Sequence, residues 1–403
     1  MLVRLLRRLS FAFALGACAS GSYLTDESVR RSSLEASLVS KENGYARLRL
    51  AHYATGASGD WDALPVVNPR TEMVRASELE TGASPLISGE ARSIAIGTHD
   101  SLRALGEEAF FRYPVQAAPA AKVALSSRAA ANAYGLFIDD GVGGIVRVEG
   151  VGFAYTCSTC HVSKQGIGVP NEAIDLGALM VDAGFVLGER KNNLLAWGPG
   201  RVDVTTRDGT EPVRIPDLRP IRFQTYLHAT ASVAVRDVTS LAVRIETLII
   251  TSNDATVRPP REIALGLATY LFSLADTLPM RANQTDGEAR GKEIFDKRCS
   301  GCHIPPSFTG PPVSLAVIGT DPRVGMSAER GTGTYRVPSL RGVATRGPLL
   351  HDASAASLEM MFDPARTNAG FKGRLGAPIA GHTFGLDLDA SARVDLIAYL
   401  RTL

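Results

Sequence analysis

The sequence predicts a mainly α-helical protein made of two tandem domains, the first of which is enlarged by a β-hairpin insertion. Three repeated features indicate this architecture. Residues 106–110 (GEEAF) match residues 291–295 (GKEIF), and each half ends in an amphipathic helix with the same Tyr-Leu-x-x-Leu spacing, at Tyr270 and Tyr399. Each half also contains one Cys-x-x-Cys-His motif. Repetition of this kind is typical of two copies of one structural unit.

The composition is that of a globular protein. Of 403 residues, 43 are Lys or Arg and 41 are Asp or Glu, which gives a formal net charge of +2. Proteins that bind nucleic acid usually carry a strongly basic surface, so this balance argues against a nucleic-acid partner. A hydrophobic share of 45% with 21% charged residues argues against disorder. After the N-terminus no apolar run approaches the ~20 residues that cross a bilayer, which excludes a polytopic membrane protein.

Residues 1–17 have the pattern of an export signal. Arg4, Arg7 and Arg8 precede a short apolar stretch, which is typical of a signal peptide and too short for a membrane span. The signal ends in Leu-Gly-Ala before Cys18, which resembles the lipobox of bacterial lipoproteins. That resemblance implies acylation of Cys18 and a lipid anchor, with the outer membrane of a Gram-negative bacterium as the destination. The alternative is an ordinary secretory signal in which Cys18 has no role.

The next segment, residues 18–93, is predicted to be a tether and accessory N-terminal region. It is rich in Ser, Ala and Gly and has only patchy apolar periodicity. The first domain is then predicted over residues 94–278 and the second over residues 286–403. The polar segment between them lacks apolar periodicity and is the predicted linker.

The most informative pattern is the pair of Cys-x-x-Cys-His motifs. They consist of Cys157, Cys160 and His161 in the first half and of Cys299, Cys302 and His303 in the second. This pattern indicates c-type haem attachment. Positions i, i+3 and i+4 share one face of a helical turn, so both thiols can reach the porphyrin while the imidazole meets the iron. We therefore predict two covalently bound haem c groups, with His161 and His303 as iron ligands.

Three other chemistries use paired cysteines: a zinc site, a redox-active thiol pair and a disulfide framework. A zinc site would use both pairs together, but each pair is followed at once by its own His in its own half. A disulfide framework is improbable in a long chain with five cysteines. The export signal also favours haem, because c-type cytochromes are assembled outside the inner membrane.

The first domain contains an insertion. In the second half Cys299 follows Phe295 by four residues, whereas 47 residues separate Phe110 from Cys157. The inserted stretch includes the glycine-rich residues 141–144 between runs of alternating apolar residues, which predicts a β-hairpin.

A second repeated motif lies downstream. Residues 215–219 (IPDLR) match residues 337–341 (VPSLR), so Arg219 and Arg341 occupy equivalent positions. A guanidinium is suited to bidentate contact with a carboxylate. Arg219 and Arg341 are therefore candidates to bind the haem propionates, whereas Arg201 is as well explained by a solvated side chain.

Residues 94–403 resemble the bacterial di-haem cytochromes related to cytochrome c peroxidase. The match is most specific at residues 337–358 (VPSLRGVATRGPLLHDASAASL). Residues 381–384 (GHTF) are similar to a segment of the branch that contains rubber oxygenase and periplasmic di-haem proteins. The resemblance implies two cytochrome c-like domains, each with a helix, an attachment turn and a closing helix around its haem.

The resemblance also implies a sixth ligand for the second haem. His382 occupies the slot in which the related peroxidases have a ligating Met. His351 is the alternative, although the matching residue of the family lies at the haem edge without ligating, and Met326 and Met360 are further alternatives. Two imidazoles would give a lower reduction potential than a His/Met pair.

The equivalent slot in the first half holds Asn253. Met180 and His228 remain as candidates for the sixth ligand, although Met180 is better explained by packing. If neither ligates, the first iron has an open or water-filled position at which peroxide or dioxygen can bind.

The catalytic residues of the related peroxidases are largely missing. Their motif Phe-Trp-Asp-Gly-Arg-Ala is replaced by residues 226–231 (YLHATA), and no carboxylate matches their acid in register. Glu246 is the nearest carboxylate, and a general acid must lie within hydrogen-bonding reach of the bound oxygen. Trp197 could carry an electron between the haems or could be structural. The catalytic candidates are therefore Trp197, His228 and Glu246.

Together these patterns predict an exported, lipid-anchored di-haem c-type cytochrome that transfers electrons to or from a redox partner protein in the periplasm. The alternative is an oxidoreductase in which the first haem activates peroxide or dioxygen and the second supplies electrons. A haem-bearing scaffold or sensor is a third possibility, because the sequence does not explain residues 19–93.

Overall fold

The computed structural model describes residues 21–403, apart from 82–86, 88–89, 95–96, 137–143, 204–208, 279 and 283. The predicted signal peptide and Cys18 lie outside these residues. Over the described residues the chain is mainly helical, with small antiparallel sheets. None of the helices in these ranges is long and apolar enough to cross a membrane.

The α-helices range from one turn to four. They are α1 (Glu27–Ser37), α2 (Gly44–Tyr53), α3 (Ala76–Thr81), α4 (His99–Arg112), α5 (Ala121–Ala124), α6 (Arg128–Ala133), α7 (Cys157–His161), α8 (Leu176–Asp182), α9 (Glu189–Leu195), α10 (Val238–Ser252), α11 (Arg261–Ser273), α12 (Asp286–Arg298), α13 (Leu315–Ile318), α14 (Leu358–Met361) and α15 (Ala390–Leu400).

The strands are short. They are β1 (Thr71–Met73), β2 (Gln116–Ala117), β3 (Ile145–Val148), β4 (Gly152–Tyr155), β5 (Val162–Ser163), β6 (Gly166–Ile167), β7 (Arg201–Val202), β8 (Val213–Arg214), β9 (Tyr226–Leu227), β10 (Val233–Ala234), β11 (Gly310–Ser314) and β12 (Thr334–Val337). One sheet has four strands in the order β1-β3-β4-β2, and the other sheets are two-stranded pairs.

The insertion in the first half contains a β-hairpin directly after the glycine-rich residues at which a turn is predicted. Strands β3 and β4 pair from Ile145 with Tyr155 to Val148 with Gly152, so the chain reverses at residues 149–151. Gly150 and Gly152 have φ values of 73° and 102°, a region that favours glycine. Of the glycine-rich stretch in which the turn was expected, Gly141 and Gly143 lie outside the described residues.

A pair of crossing helices organises each half of the chain. In the first half, α4 crosses α11 at Gly106, where an added Cβ would lie 1.9 Å from the carbonyl oxygen of Gly266. In the second half, α12 crosses α15 at Gly291, where a Cβ would lie 1.9 Å from the carbonyl oxygen of Asp395. Glycine is required at both crossings because the backbones touch there.

The repeated aromatic residues pack beside these crossings. Phe110 is fully buried against Tyr270, with ring centroids 5.5 Å apart, and Phe295 is fully buried against Tyr399 at 5.3 Å. The residues that match in the sequence therefore make matching contacts. The apolar core is divided accordingly, since one cluster draws on residues 23–274 and another on residues 295–403.

The predicted tether is a folded part of the molecule over residues 21–81. Tyr23 and Trp61 are 0% and 1% exposed and belong to the main core cluster. On α1 the Arg30 guanidinium is buried and pairs with Asp62 at 2.7 Å. Charged residues occupy some of the buried positions of this segment and form ion pairs there. The apolar residues of the sequence therefore show no clear period.

The same segment also contacts the second half of the chain. Asn43 Nδ2 donates to the carbonyl oxygen of Gly331 at 3.1 Å, and the Tyr45 amide donates to that of Glu329 at 2.8 Å. The start of α2 is therefore fixed by a loop that follows the second Cys-x-x-Cys-His motif.

Candidate haem sites

The first Cys-x-x-Cys-His motif forms the single helical turn α7. Thr156 precedes the turn, and its amide donates to Thr159 Oγ1 at 3.0 Å as part of a capping box. His161 is the last residue of the turn, and its Nδ1 lies 3.1 Å from the carbonyl oxygen of Pro216. Pro216 belongs to the repeated Pro-x-Leu-Arg motif, so that motif holds the ring in orientation.

The second motif forms a turn at the end of α12 instead of a helix. The amides of Cys302 and His303 both donate to the carbonyl oxygen of Cys299, at 3.1 and 2.9 Å. The His303 imidazole has Nδ1 3.1 Å from the carbonyl oxygen of Phe308. The two thiols and the imidazole are thus arranged over one turn in each half, as the sequence predicts.

Both imidazoles are prepared to ligate through Nε2. A carbonyl oxygen only accepts, so Nδ1 of His161 and of His303 carries the proton, which leaves the lone pair on Nε2. This backbone hydrogen bond is the usual support of a metal-ligating His. Burial lowers the pKa of each imidazole to about 4, with the carbonyl hydrogen bond acting in the opposite direction. Both rings are therefore neutral near pH 7, the form that binds a metal.

The four cysteines are free thiols in partly buried positions. Burial raises the pKa of Cys157 and Cys160 to about 12 and that of Cys299 to about 11. Thiols with such values stay protonated at neutral pH, whereas redox-active thiols have lowered pKa values. The environment therefore argues against a thioredoxin-like pair.

His382 faces His303 across the second site. The two ring centroids are 6.4 Å apart, with the rings inclined by 56°. Two imidazoles on opposite sides of one metal, each bonded at about 2 Å through a nitrogen about 1 Å from its ring centroid, place the centroids about 6 Å apart. Burial, and next the proximity of His303, lower the pKa of His382 to about 4. The residues present therefore fit a haem iron with two imidazole ligands.

A buried arginine shapes the loop that carries His382. Arg366 is 0% exposed, and its guanidinium donates to the carbonyl oxygens of Ile379 at 2.6 Å and of Gly381 and His382 at 2.8 Å each. His382 has a φ of 44°, which is uncommon for a residue other than glycine. The hydrogen bonds from Arg366 hold the chain around His382 in this conformation.

The alternatives to His382 are engaged elsewhere. The His351 ring stacks on Tyr335 at 4.5 Å, with Nε2 3.3 Å from the tyrosine hydroxyl. Met326 is 70% exposed. The Met360 sulfur lies 3.3 Å from the amide of Ala356, which donates to it. Of the four candidates, His382 makes a ring contact with His303.

The candidates for the sixth ligand in the first half also have other partners. The Met180 side chain packs among apolar residues of two core clusters. Both ring nitrogens of His228 are hydrogen-bonded, since Ser232 Oγ lies 2.6 Å from Nδ1 and Arg244 Nη2 lies 3.0 Å from Nε2. Asn253 ends α10 and donates to the carbonyl oxygens of Val115 and Ile249.

Trp197 occupies a structural position. It is 3% exposed and packs against Val186 and Leu194, and its indole N–H donates to the carbonyl oxygen of Gly209 at 2.7 Å. Arg201 donates to the Trp197 carbonyl oxygen at 2.5 Å. The Trp197 and Arg201 side chains thus stabilise the loop after α9, and electron transfer through Trp197 stays a prediction.

Glu246 lies in a closed network. Its side chain is 0% exposed, and it accepts hydrogen bonds from the Tyr23 hydroxyl at 2.7 Å and from the Trp61 indole at 3.0 Å. Arg261 lies 3.4 Å away. Burial raises the pKa of Glu246, and the Arg261 charge opposes that rise. Because both oxygens already have donors from the N-terminal segment, the structure supports a structural role for this carboxylate.

The two arginines of the repeated motif are paired within the protein. Arg219 forms an ion pair with Asp217 at 2.6 Å, and Arg341 donates to the carbonyl oxygen of Leu278 at 2.6 Å. Their contact with haem propionates stays a prediction. Sequence reasoning missed Arg346, which lies within electrostatic reach of both Asp217 and His303.

Arg346 belongs to a larger set of enclosed arginines. Burial lowers the pKa of Arg214, Arg336 and Arg346 to about 10 each. The three residues are nevertheless only partly buried as a whole. Arg346 could have been noticed in the sequence, because it lies within residues 337–358, the stretch that carries the family resemblance.

Comparisons with known proteins add little. No family model and no curated protein matches the chain. Among solved structures it is similar to a MauG-like protein associated with microbial copper homeostasis, with 17% sequence identity and a TM-score of 0.33 over 51% of this chain and 79% of that one. A TM-score this low indicates neither a shared fold nor a shared function.

Proposed function

We propose that this chain is a c-type cytochrome with two covalently attached haems and that it carries electrons. The observation that carries the proposal is the pair His303 and His382, whose ring centroids are 6.4 Å apart. Cys157 and Cys160 would attach one haem, and Cys299 and Cys302 the other. When bound, each haem would supply one-electron redox chemistry.

The protein's part is to orient the ligands and to exclude water. The carbonyl oxygens of Pro216 and Phe308 fix the tautomer of the two motif imidazoles. Burial keeps these rings neutral near pH 7. In the second half, His303 and His382 would both hold the haem iron, which would leave no protein-free position for a substrate and would favour electron transfer there. Two imidazoles also favour a lower reduction potential than a His/Met pair.

The first test addresses covalent attachment. The holoprotein, matured in a host competent for cytochrome c assembly, is expected to have the mass of the polypeptide plus two haems after denaturation. Cys299→Ala together with Cys302→Ala should remove one haem from that mass. A colourless protein with the mass of the bare polypeptide would overturn the proposal.

The second test addresses the ligand pair. His382→Ala should convert one of the two irons from low spin to high spin, because one imidazole is lost, and the reduced variant should bind carbon monoxide at that iron. Visible and electron paramagnetic resonance spectra measure both changes. His99→Ala is the matched control, since that side chain is 73% exposed, and its spectra should equal those of the unmodified protein. A bis-imidazole signal that persists in His382→Ala contradicts the assignment.

A second candidate function is supported by the asymmetry of the two halves. His228 has both ring nitrogens engaged, so it is unsuited to ligate the first iron. An iron with one protein ligand can bind peroxide or dioxygen, and the first half would then be the reactive site of a peroxidase-like or oxygenase-like oxidoreductase. Cyanide binding to one haem of the oxidised protein favours this candidate, and two cyanide-insensitive low-spin haems favour the carrier.

We further propose that the protein works in the periplasm, anchored to the outer membrane through an acylated Cys18, with a redox protein as its partner. The support is the export pattern of residues 1–17 and the Leu-Gly-Ala-Cys sequence that ends at Cys18. Cys18→Ser should release the protein from the membrane fraction into the soluble periplasmic fraction. Membrane association that persists in this variant contradicts the anchor.

A further inference from the structure

A second group of charged residues lies apart from the Cys-x-x-Cys-His motifs, around the ring of Tyr45. The guanidinium carbon of Arg49 is 3.5 Å from the ring centroid, that of Arg330 is 5.3 Å away and that of Arg244 is 5.6 Å away. The His228 ring packs edge-on against Tyr45, with centroids 4.9 Å apart. We call these five residues the Tyr45 cluster.

His228 cannot balance the positive charge of the cluster. Arg244 can only donate, and its Nη2 lies 3.0 Å from His228 Nε2, so Nε2 accepts and Nδ1 carries the proton. Nδ1 then donates to Ser232 Oγ at 2.6 Å. Burial, followed by the charges of Arg330 and Arg244, holds the pKa of His228 well below its usual value. His228 is a neutral support for Arg244.

Arg49 and Arg244 lack a carboxylate partner. Across the ranges that the structure describes, no Asp or Glu lies within 4.0 Å of either guanidinium. Arg49 is 4% exposed, and its side-chain hydrogen bond goes to the carbonyl oxygen of Tyr45 at 3.3 Å. Arg49 Nε and Arg244 Nη1 are buried without a hydrogen-bond partner.

This arrangement is costly for the protein chain alone. Buried charges in proteins are paired or bind an ion, because an unpaired buried charge is strongly unfavourable. Burial, with a smaller contribution from the nearby Arg244 charge, lowers the pKa of Arg49 to about 10. Asp203 and Glu211 interact electrostatically with Arg330. Both guanidiniums thus lie against the Tyr45 ring with a donor available, and within the described ranges neither forms an ion pair with an Asp or Glu.

We propose that the Tyr45 cluster binds a carboxylate, with Arg49 and Arg244 as the residues that contact it. Guanidinium groups suit this ligand because they offer two parallel N–H donors to its two oxygens. The carboxylate has two possible sources, a propionate of a bound haem or a free organic acid. Either carboxylate would accept hydrogen bonds from the same guanidinium donors. In either case the proposal assigns a function to α2 of the N-terminal segment, which lies outside the two Cys-x-x-Cys-His motifs.

The test uses the haem-loaded protein with acetate as the probe. Calorimetric titration and the acetate-dependent rise in melting temperature are compared for the unmodified protein, Arg49→Gln and Arg244→Gln. Arg47→Gln is the matched control, since Arg47 lies on the same helix and is exposed. Arg49→Lys keeps the charge in case the Gln variant folds poorly. The midpoint potentials of both haems are recorded for every variant.

Two results support the proposal and identify the source. If the ligand is a free acid, acetate binds one-to-one and both Gln variants weaken it at least tenfold, while Arg47→Gln and Arg49→Lys retain binding. If the ligand is a propionate, acetate does not bind, and the Gln variants lower the midpoint potential of one haem because a positive charge near it is lost. Absence of acetate binding together with unchanged potentials in both Gln variants overturns the proposal. In all of these arginine variants the second haem should keep its low-spin spectrum. That result would separate failure of the carboxylate proposal from failure of the His303–His382 assignment.

Discussion

Arg366 stabilises the loop that carries His382, the proposed ligand of the second haem. Its guanidinium is completely buried, and no carboxylate among the described residues pairs with it in an ion pair; instead it donates to backbone carbonyl oxygens, including that of His382 at 2.8 Å. Hydrogen bonds from a charged donor are stronger than those from a neutral one. A single side chain therefore stabilises a loop whose backbone conformation is otherwise unfavourable at His382.

The first prediction concerns this arginine. Arg366→Gln should lower the free energy of unfolding by about 3–5 kcal/mol, because several buried carbonyl oxygens lose their donor. It should also give a mixture of high-spin and low-spin signals for one haem. Urea denaturation and spectroscopy measure the two effects.

A neighbouring arginine provides the control. Arg393 also donates to a backbone carbonyl oxygen, that of Leu388, but it does not contact the His382 loop. Arg393→Gln should change stability by less than about 1 kcal/mol and leave the spectra unaltered. Equal effects of the two substitutions would show that Arg366 has no special role in positioning the ligand.

At the level of single residues, the sequence predicts what depends on short spacing. Five consecutive residues, Cys157 to His161, predict a single turn that carries two thiols and one imidazole. The contacts of Glu246 could not be predicted in this way, because Tyr23 and Trp61 are 223 and 185 residues away from it. The same applies to Arg49 and Arg244, which converge on Tyr45 only after the chain has folded.

Among the structural elements, the two helix crossings are the most alike between the halves. In each crossing a glycine lets two helix backbones touch, and a fully buried phenylalanine four residues later fixes the angle against a tyrosine of the closing helix. These contacts bring the start and end of each half together around its Cys-x-x-Cys-His motif.

The second prediction concerns these glycines. Gly106→Ala and Gly291→Ala should each lower the free energy of unfolding by about 1–3 kcal/mol, because the added methyl group would meet a backbone carbonyl oxygen that cannot move without separating the helices. Thermal or urea unfolding measures the loss. Gly370→Ala is the control, since nothing lies within 4 Å of its added Cβ. Unchanged stability at both crossings would contradict the close approach of the helices.

Helices can be predicted from the sequence where apolar residues recur at helical spacing. They are missed where charged side chains lie on the buried face. Helices α4 and α12 are found where the Gly-x-x-x-Phe repeat places them. The hairpin predicted at the glycine-rich residues 141–144 stays a prediction, because residues 137–143 lie outside the described part of the chain. The hairpin that the structure shows turns after Val148, where Gly150 and Gly152 have positive φ values. Helix α1 was missed because Arg30 and Arg31 on its buried face conceal the apolar period.

For the molecule as a whole, the N-terminal segment is a structural part of the first half. Glu246 on α10 accepts hydrogen bonds from Tyr23 and Trp61, and Arg261 on α11 pairs with Asp62. A composition rich in Ser and Ala had suggested a tether. The buried network explains why the segment is folded in spite of that composition.

The third prediction tests this network. Trp61→Phe should lower the free energy of unfolding by about 1–3 kcal/mol, because one oxygen of the buried Glu246 carboxylate loses its indole donor. Proteases should also cleave within residues 21–81 faster than in the unmodified protein. Tyr134→Phe removes a hydroxyl whose hydrogen bond to Asp182 is exposed, and it should affect neither property. Unaltered proteolysis of Trp61→Phe would indicate that the segment is held by other contacts.

The hydrogen bond from Asn43 to Gly331 has a consequence for the order of assembly. A chain is synthesised from its N-terminus, yet the partner of Asn43 is 288 residues later. Both cysteine pairs precede Gly331 in the sequence, so both are synthesised before the start of α2 can make this contact. In the proposed exported cytochrome, haem attachment could therefore begin on a chain in which α2 has not yet reached its final position.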